Sequence, residues 1–155
     1  MTINNSDYDS SAYFALRESM LTEDGGFAVK LKNGTGAETV KGSAVAASSD
    51  ISSPGFTLQN NMYDSIGVVY ESGVAASDYA WVVVSGKAQV LMDDTSTAVA
   101  GKVLVGATTD GRFSCVANPG SGLPATDKHF TECGHLIESK TKGTSVLAWA
   151  MIHFN

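Results

Sequence analysis

The chain says the same thing twice. Gly67-Val68-Val69-Tyr70-Glu71-Ser72 returns as Gly134-His135-Leu136-Ile137-Glu138-Ser139, and each copy is followed by Ala-Trp leading an apolar run, Ala80-Trp81-Val82-Val83-Val84 and Ala148-Trp149-Ala150-Met151-Ile152. Upstream, Ala28-Val29-Lys30-Leu31-Lys32 aligns with Ala88-Gln89-Val90-Leu91-Met92, and Val40 to Val45 with Val99 to Leu104. A four-segment unit therefore occurs once before Gly86 and once after it. Whatever fold the chain takes must accommodate this duplication.

The repeated segments carry strand signals. Ala28 to Lys32 alternates apolar and polar residues, and Asn33-Gly34-Thr35-Gly36 supplies residues that tolerate positive φ and end the strand. Val40 to Ala47 reads as a weaker strand, and Phe56-Thr57-Leu58 as a short one in a loop from Ser48 to Asn61. Ile66 to Glu71 and Ala80 to Ser85 are rich in β-branched and aromatic residues and read as core strands. In the second copy the strands are Ala88 to Met92, Val99 to Val105, Gly134 to Glu138 and Leu147 to Phe154, with a long insertion after Val105. There Asp110-Gly111 carries a type I′ hairpin signal, and Asn118 to Pro124 predicts an exposed loop. Nothing after Gly25 keeps a helical apolar period. The expected fold is all-β: a compact β-barrel or β-sandwich of about eight strands, whose edges must be closed or covered. Trp81 and Trp149 are expected at matching places, in the core or at a subunit contact.

Residues 1–26 differ from the rest and read as an N-terminal arm, leaving 27–155 as a single β domain with pseudo-repeats 27–86 and 87–155. Tyr13, Leu16 and Met20 fall at helical spacing behind Ser10 and Ser11 as caps, so the pattern allows a short amphipathic helix that needs something to pack on. Termini concentrate disorder. Tyr8, Tyr13, Phe14, Leu16 and Met20 nevertheless favour docking on a neighbour, and they are the candidate contact residues.

The 155 residues bury enough surface to fold without a staple, and one core is the simplest assumption. Only 17% of residues are charged and the net charge is −6, which argues against electrostatic capture of nucleic acid or an anionic membrane. Lys30, Lys32 and Lys41 read as a solvated face. Two cysteines, Cys115 and Cys133, make no disulfide framework. The start carries no signal-peptide pattern and no apolar run reaches membrane-spanning length, so the chain reads as soluble and made in a cytoplasm.

No motif assigns chemistry. On a regular strand Cys133 and His135 point to one face, with Glu132 adjacent, but a structural zinc site wants four ligands in paired spacings, and only this one tight pair exists among Cys115, Cys133, His129, His135 and His153. No metal or cofactor is expected. The thiol lacks a helix terminus or oxyanion loop to activate it. Glu71 and Glu138 each precede a Ser at a strand end, which favours acceptance of turn N–H groups over paired-carboxylate catalysis. A hydrolase built on Asp93, Asp94 or Cys133 is the weakest reading, and the chain is expected not to be an enzyme.

The run Trp81 to Leu91, followed by Gly101-Lys102-Val103 and Asp110-Gly111-Arg112-Phe113, resembles small structural proteins encoded beside the major capsid gene of tailed bacteriophages. The stretch His129 to Ser139 and the ending His153-Phe154-Asn155 strengthen the likeness, which covers residues 62–155 well and 27–61 loosely. The resemblance implies a head decoration, or cement, protein: a β-barrel or β-sandwich on the outside of the expanded capsid, bound to the major capsid protein, often as a homotrimer. The arm has no counterpart in that likeness. The other reading is a host-surface or carbohydrate-binding virion module using the loop from Ala107 to Lys128.

Overall fold

The computed structural model describes residues 19–49, 54–61, 64–117 and 131–154. Among them there is no helix, and ten strands form one continuous hydrogen-bonded sheet: β1 (Ser19–Leu21), β2 (Gly26–Asn33), β3 (Ala44–Ala47), β4 (Gly55–Leu58), β5 (Ser65–Val69), β6 (Tyr79–Leu91), β7 (Val103–Gly106), β8 (Phe113–Val116), β9 (Glu132–Leu136) and β10 (Leu147–His153). The order is β1-β2-β4-β3-β5-β6-β10-β9-β7-β8, and β2 also pairs with β6. That extra pairing closes β2, β4, β3, β5 and the first half of β6 into a five-stranded barrel.

The second half of β6 begins a matching ring through β10, β9, β7 and β8, which an isolated parallel bridge from Met92 to Phe113 returns to the end of β6. In the first ring the corresponding parallel contact joins Asn33 to Phe56. The backbone bonds repeat as well. Tyr70 N–H donates to Trp81 O and Ile137 N–H to Trp149 O, both at 2.9 Å; Gly42 N–H donates to Val69 O and Gly101 N–H to Leu136 O, both at 2.8 Å. The duplication read from the sequence is thus a duplication of hydrogen bonds.

Two sequence expectations change in detail. The strands expected at Ala80 to Ser85 and Ala88 to Met92 are one, because Gly86 takes a positive φ of 87° inside a continuing ladder and bends β6 without ending it. The alignment of Ala28 with Ala88 is also one residue out: Lys30 faces Trp81 and Gln89 faces Trp149, so Lys30 corresponds to Gln89, where the sequence alignment pairs it with Val90. With side chains alternating every residue, that slip exchanges the inner and outer faces.

Once the register is corrected, the interiors correspond. Val45, Phe56, Val69, Ala80 and Val82, with Leu31 against them, fill the first ring. Their counterparts Leu104, Phe113, Leu136, Ala148 and Ala150, with Val90, lie in the second and larger cluster. Phe56 and Phe113 are both fully buried. The larger cluster also takes Ala28, Ala44, Val68 and Val83 from the first ring. Ala44, Val68 and Val83 neighbour inward-facing Val45, Val69 and Val82 in sequence, so they belong to the outer wall, and the first ring packs that wall of small side chains onto the second. Polar bonds cross the same junction: Ala44 N–H donates to Gly111 O, and Gln59 Nε2 to Ala107 O at 3.2 Å.

Candidate binding surface

The buried wall of the first ring is one row across four strands: Ala28 faces Val83, Val83 faces Val68, and Val68 faces Ala44. The equivalent row of the second ring is Lys87, Met151, His135 and Val103, in the same register. Among the described residues that row is only partly buried. Met151 is 44% exposed where Val83 is 1% exposed. Repeat arrays commonly end on such a polar face, and here the substitution of Val68 by His135 and of Ala28 by Lys87 makes a wall that cannot bury a third ring.

Beside His135 on this wall stand Glu132, also on β9, and His153 at the end of β10. His135 Nδ1 lies 3.2 Å from His153 Nε2, and Glu132 Oε1 lies 3.7 Å from His135 Nδ1 and 3.4 Å from His153 Nε2. A β-bulge brings them together. Between Leu104 and Val105 the register of β9 skips a residue, Leu104 facing Gly134 and Val105 facing Glu132, so Cys133 is the extra residue. Gly134 has a φ of 143°, and a Cβ there would run into the Met151 carbonyl. The bulge separates the Cys133/His135 pair that regular alternation expects on one face: Cys133 is buried while His135 is half-exposed. Burial pushes the Cys133 thiol up to about 11, against hydrogen bonds involving Ser65 and Gly106. That suppresses the thiolate a nucleophile requires.

In the repeated Glu-Ser pairs it is the serine that carries the matched role. Ser72 Oγ accepts from Lys41 N–H at 2.8 Å and Ser139 Oγ from Ala100 N–H at 3.0 Å, holding the loops that lead into β3 and β7. Glu138 accepts from Trp149 N–H at 2.8 Å, a strand amide rather than a turn amide, and lies 3.4 Å from Lys140 Nζ. Trp81 and Trp149 sit at matching places and are both partly buried, Trp81 packing against the larger core cluster; Lys30 lies 5.8 Å from the Trp81 ring centroid and Lys87 4.2 Å from that of Trp149.

The acidic candidates also brace the fold. Asp93 is held down to about 2 by the Thr109 hydroxyl, then by the side chain and amide of Thr95, so it is a poor general acid near neutrality. Asp94 pairs with Arg112 at 3.1 Å. In the Asp110-Gly111 hairpin only Gly111 takes a positive φ, and Gly106 faces Phe113, so the expected two-residue type I′ turn is a six-residue loop. It is pinned by Ala107 N–H donating to Arg112 O and Gly111 N–H to Gln59 O. A shallow depression of about 340 Å³ beside it is lined by Asp93, Thr95, Ser96, Thr108, Thr109 and Ser114 among others, and among the described residues no aromatic ring lines it for sugar stacking. Both cysteines are free.

Of the arm candidates, Tyr8, Tyr13, Phe14 and Leu16 lie outside the described residues. Met20 is on strand β1, not in a helical turn: Ser19, Met20 and Leu21 pair with Val29, Ala28 and Phe27, because the exposed edge of β2 offers a ladder. Met20 packs on the larger core cluster, whereas Leu21 is 80% and its partner Phe27 40% exposed. An apolar pair therefore lies in the open where the N-terminal segment joins the barrel.

The fold defines a class: among the described residues, an all-β scaffold of two fused five-stranded rings. No family model matches the chain. No curated protein matches it. Among solved structures it is similar to the head fiber gp8.5 N base of bacteriophage phi29, with a TM-score of 0.57 at 16% identity, covering 81% of this chain and 92% of that one. That likeness establishes the shared fold.

Proposed function

We propose that this chain is a non-enzymatic virion structural protein that decorates and stabilises the outside of a phage capsid by binding its major capsid protein. The observation that carries this reading is the two-ring fold shared with a phage head fiber base, met independently by the sequence resemblance to capsid decoration proteins. The physics fits the role. A continuous sheet with fused cores is rigid, and exposed Leu21 and Phe27, where the N-terminal segment joins the barrel, provide an apolar attachment. Tyr8, Tyr13, Phe14, Leu16 and Met20 are the proposed capsid or subunit contacts, and the assembled form is proposed to be a homotrimer on the capsid surface.

Cosedimentation of the purified chain with expanded capsids of the phage that encodes it tests this. Saturable binding is expected, with occupancy falling at least about tenfold when residues 1–18 are removed, equivalent to losing about 1.4 kcal/mol or more. Absence of binding would overturn the decoration reading, and unchanged occupancy of the truncated chain would overturn the role of the N-terminal segment. Sedimentation of the free chain distinguishes trimer from monomer.

A further inference from the structure

The Glu132, His135 and His153 cluster has no counterpart in the first ring, where the equivalent positions are Ser65, Val68 and Ser85. Each of the three offers one ligand atom, and all three atoms lie within 4.8 Å of one another. We propose that they form a site for a divalent transition metal of the zinc class, with two imidazoles and one carboxylate as ligands. Bonds of about 2.0–2.1 Å to a tetrahedral ion place neighbouring ligand atoms about 3.3–3.4 Å apart. The separations here are 3.2, 3.4 and 3.7 Å, so the three atoms already outline one face of such a tetrahedron.

The backbone fixes this arrangement before any ion arrives. On a regular strand Glu132 and His135, three residues apart, project from opposite faces. The bulge at Cys133 restores them to one face, and His153 reaches the same place from the end of the neighbouring strand. Glu132 is the more enclosed ligand, its side chain 18% exposed, while those of His135 and His153 are 45% and 44% exposed. The open side therefore faces solvent, leaving a coordination position for water, as in three-ligand zinc sites. A hydrogen-bonded histidine pair alone would need only the 3.2 Å contact. It would not need a carboxylate near both imidazoles. An ion here clips β9 to β10 across the bulge and stabilises the exposed wall of the second ring.

The test is Co²⁺ titration of the untagged full chain, read by the visible d–d band of low-symmetry cobalt and followed by displacement with Zn²⁺. One Co²⁺ per chain is expected, released by Zn²⁺, and Zn²⁺ is expected to raise the thermal midpoint. His135→Ala and His153→Ala should each weaken binding by more than about tenfold, since even the loss of an outer partner of a ligand costs that much. Glu132→Gln keeps the side-chain volume, so it tests the carboxylate even if a histidine variant fails to fold, and it should weaken binding similarly. Absence of the band in the wild-type chain would overturn the site. So would retention of wild-type affinity in Glu132→Gln, or loss of the band on His129→Ala with the three cluster variants unaffected.

Discussion

The two rings share a hydrogen-bond skeleton and differ in what stands on it. At the position where the first ring buries Asn33, the second buries Met92, and Thr39 is answered by Ala98. Asn33 Nδ2 donates to the carbonyls of Ala37, Val74 and Ala75, and Thr39 Oγ1 donates to Glu71 O while accepting from Val74 N–H. The first ring thus holds its loops by buried polar groups, while the second packs Met92 and Ala98 into the common core. Their walls differ in the opposite sense. The first ring's outer wall is apolar and buried, while the second's mixes Lys87 and His135 with Met151 and Val103 and is partly exposed. Duplication supplies the architecture, and the unpartnered copy of the packing surface is where new side chains gather without cost to the core.

The matched interiors set the largest expected effect. Phe56→Ala and Phe113→Ala should each destabilise the chain by about 3–5 kcal/mol, measured by denaturant unfolding, because each empties a fully buried aromatic site. Both variants should unfold in a single transition; two separated transitions would mean that the rings are independent. The unmatched polar position comes next. Asn33→Ala should cost about 2–3 kcal/mol by leaving loop carbonyls without their donor, whereas Met92→Leu should cost less than about 1.5 kcal/mol as a volume-conserving change. Ser72→Ala and Ser139→Ala should lose about 1 kcal/mol each, equally, since they remove the same bond from the two copies.

The smallest effect separates two similar turns. Asn33 Oδ1 accepts from the amide and hydroxyl of Thr35 at 3.0 and 2.7 Å, and Asp93 Oδ1 from those of Thr95 at 3.0 and 2.6 Å. Only the carboxylate titrates. Its folded value of about 2 lies below the ordinary 3.8, so its stabilisation is present above that ordinary value and is lost as pH falls toward 2. Solvent screening keeps this contribution below about 1 kcal/mol. Asp93→Asn should flatten the pH dependence of stability between 4 and 2, and an unchanged slope would assign the titration elsewhere.

Much of this was legible because β-structure writes itself in alternation. Ala28 to Lys32, Phe56 to Leu58 and Leu147 to His153 announce their strands, and the Gly67 and Gly134 echoes announce the duplication. What hid were the departures from alternation. Gly86 marks the boundary between the two copies yet bends one long strand, and the bulge at Cys133 reverses the face of Glu132 on β9. The grouping of Glu132 with His135 and His153 was therefore invisible to a period of two, although a glycine between two potential ligands was a usable warning. Met20 sits in a strand because an edge of β2 is available to pair with, and helical spacing says nothing about that edge. The exposed wall emerges only when the registers of both rings are laid side by side.

That contrast of walls is tested most directly by placing the same charge at equivalent positions, Val68→Lys and His135→Lys, and measuring both by denaturant unfolding. Val68→Lys should destabilise by several kcal/mol, about 3 or more, because it drives an unpaired ammonium between the rings. His135→Lys, on the exposed wall, should stay within about 0.5 kcal/mol of the wild-type chain when both are measured with a chelator present, so that no bound ion contributes. Equal losses at the two positions would contradict a buried junction on one ring and an open face on the other.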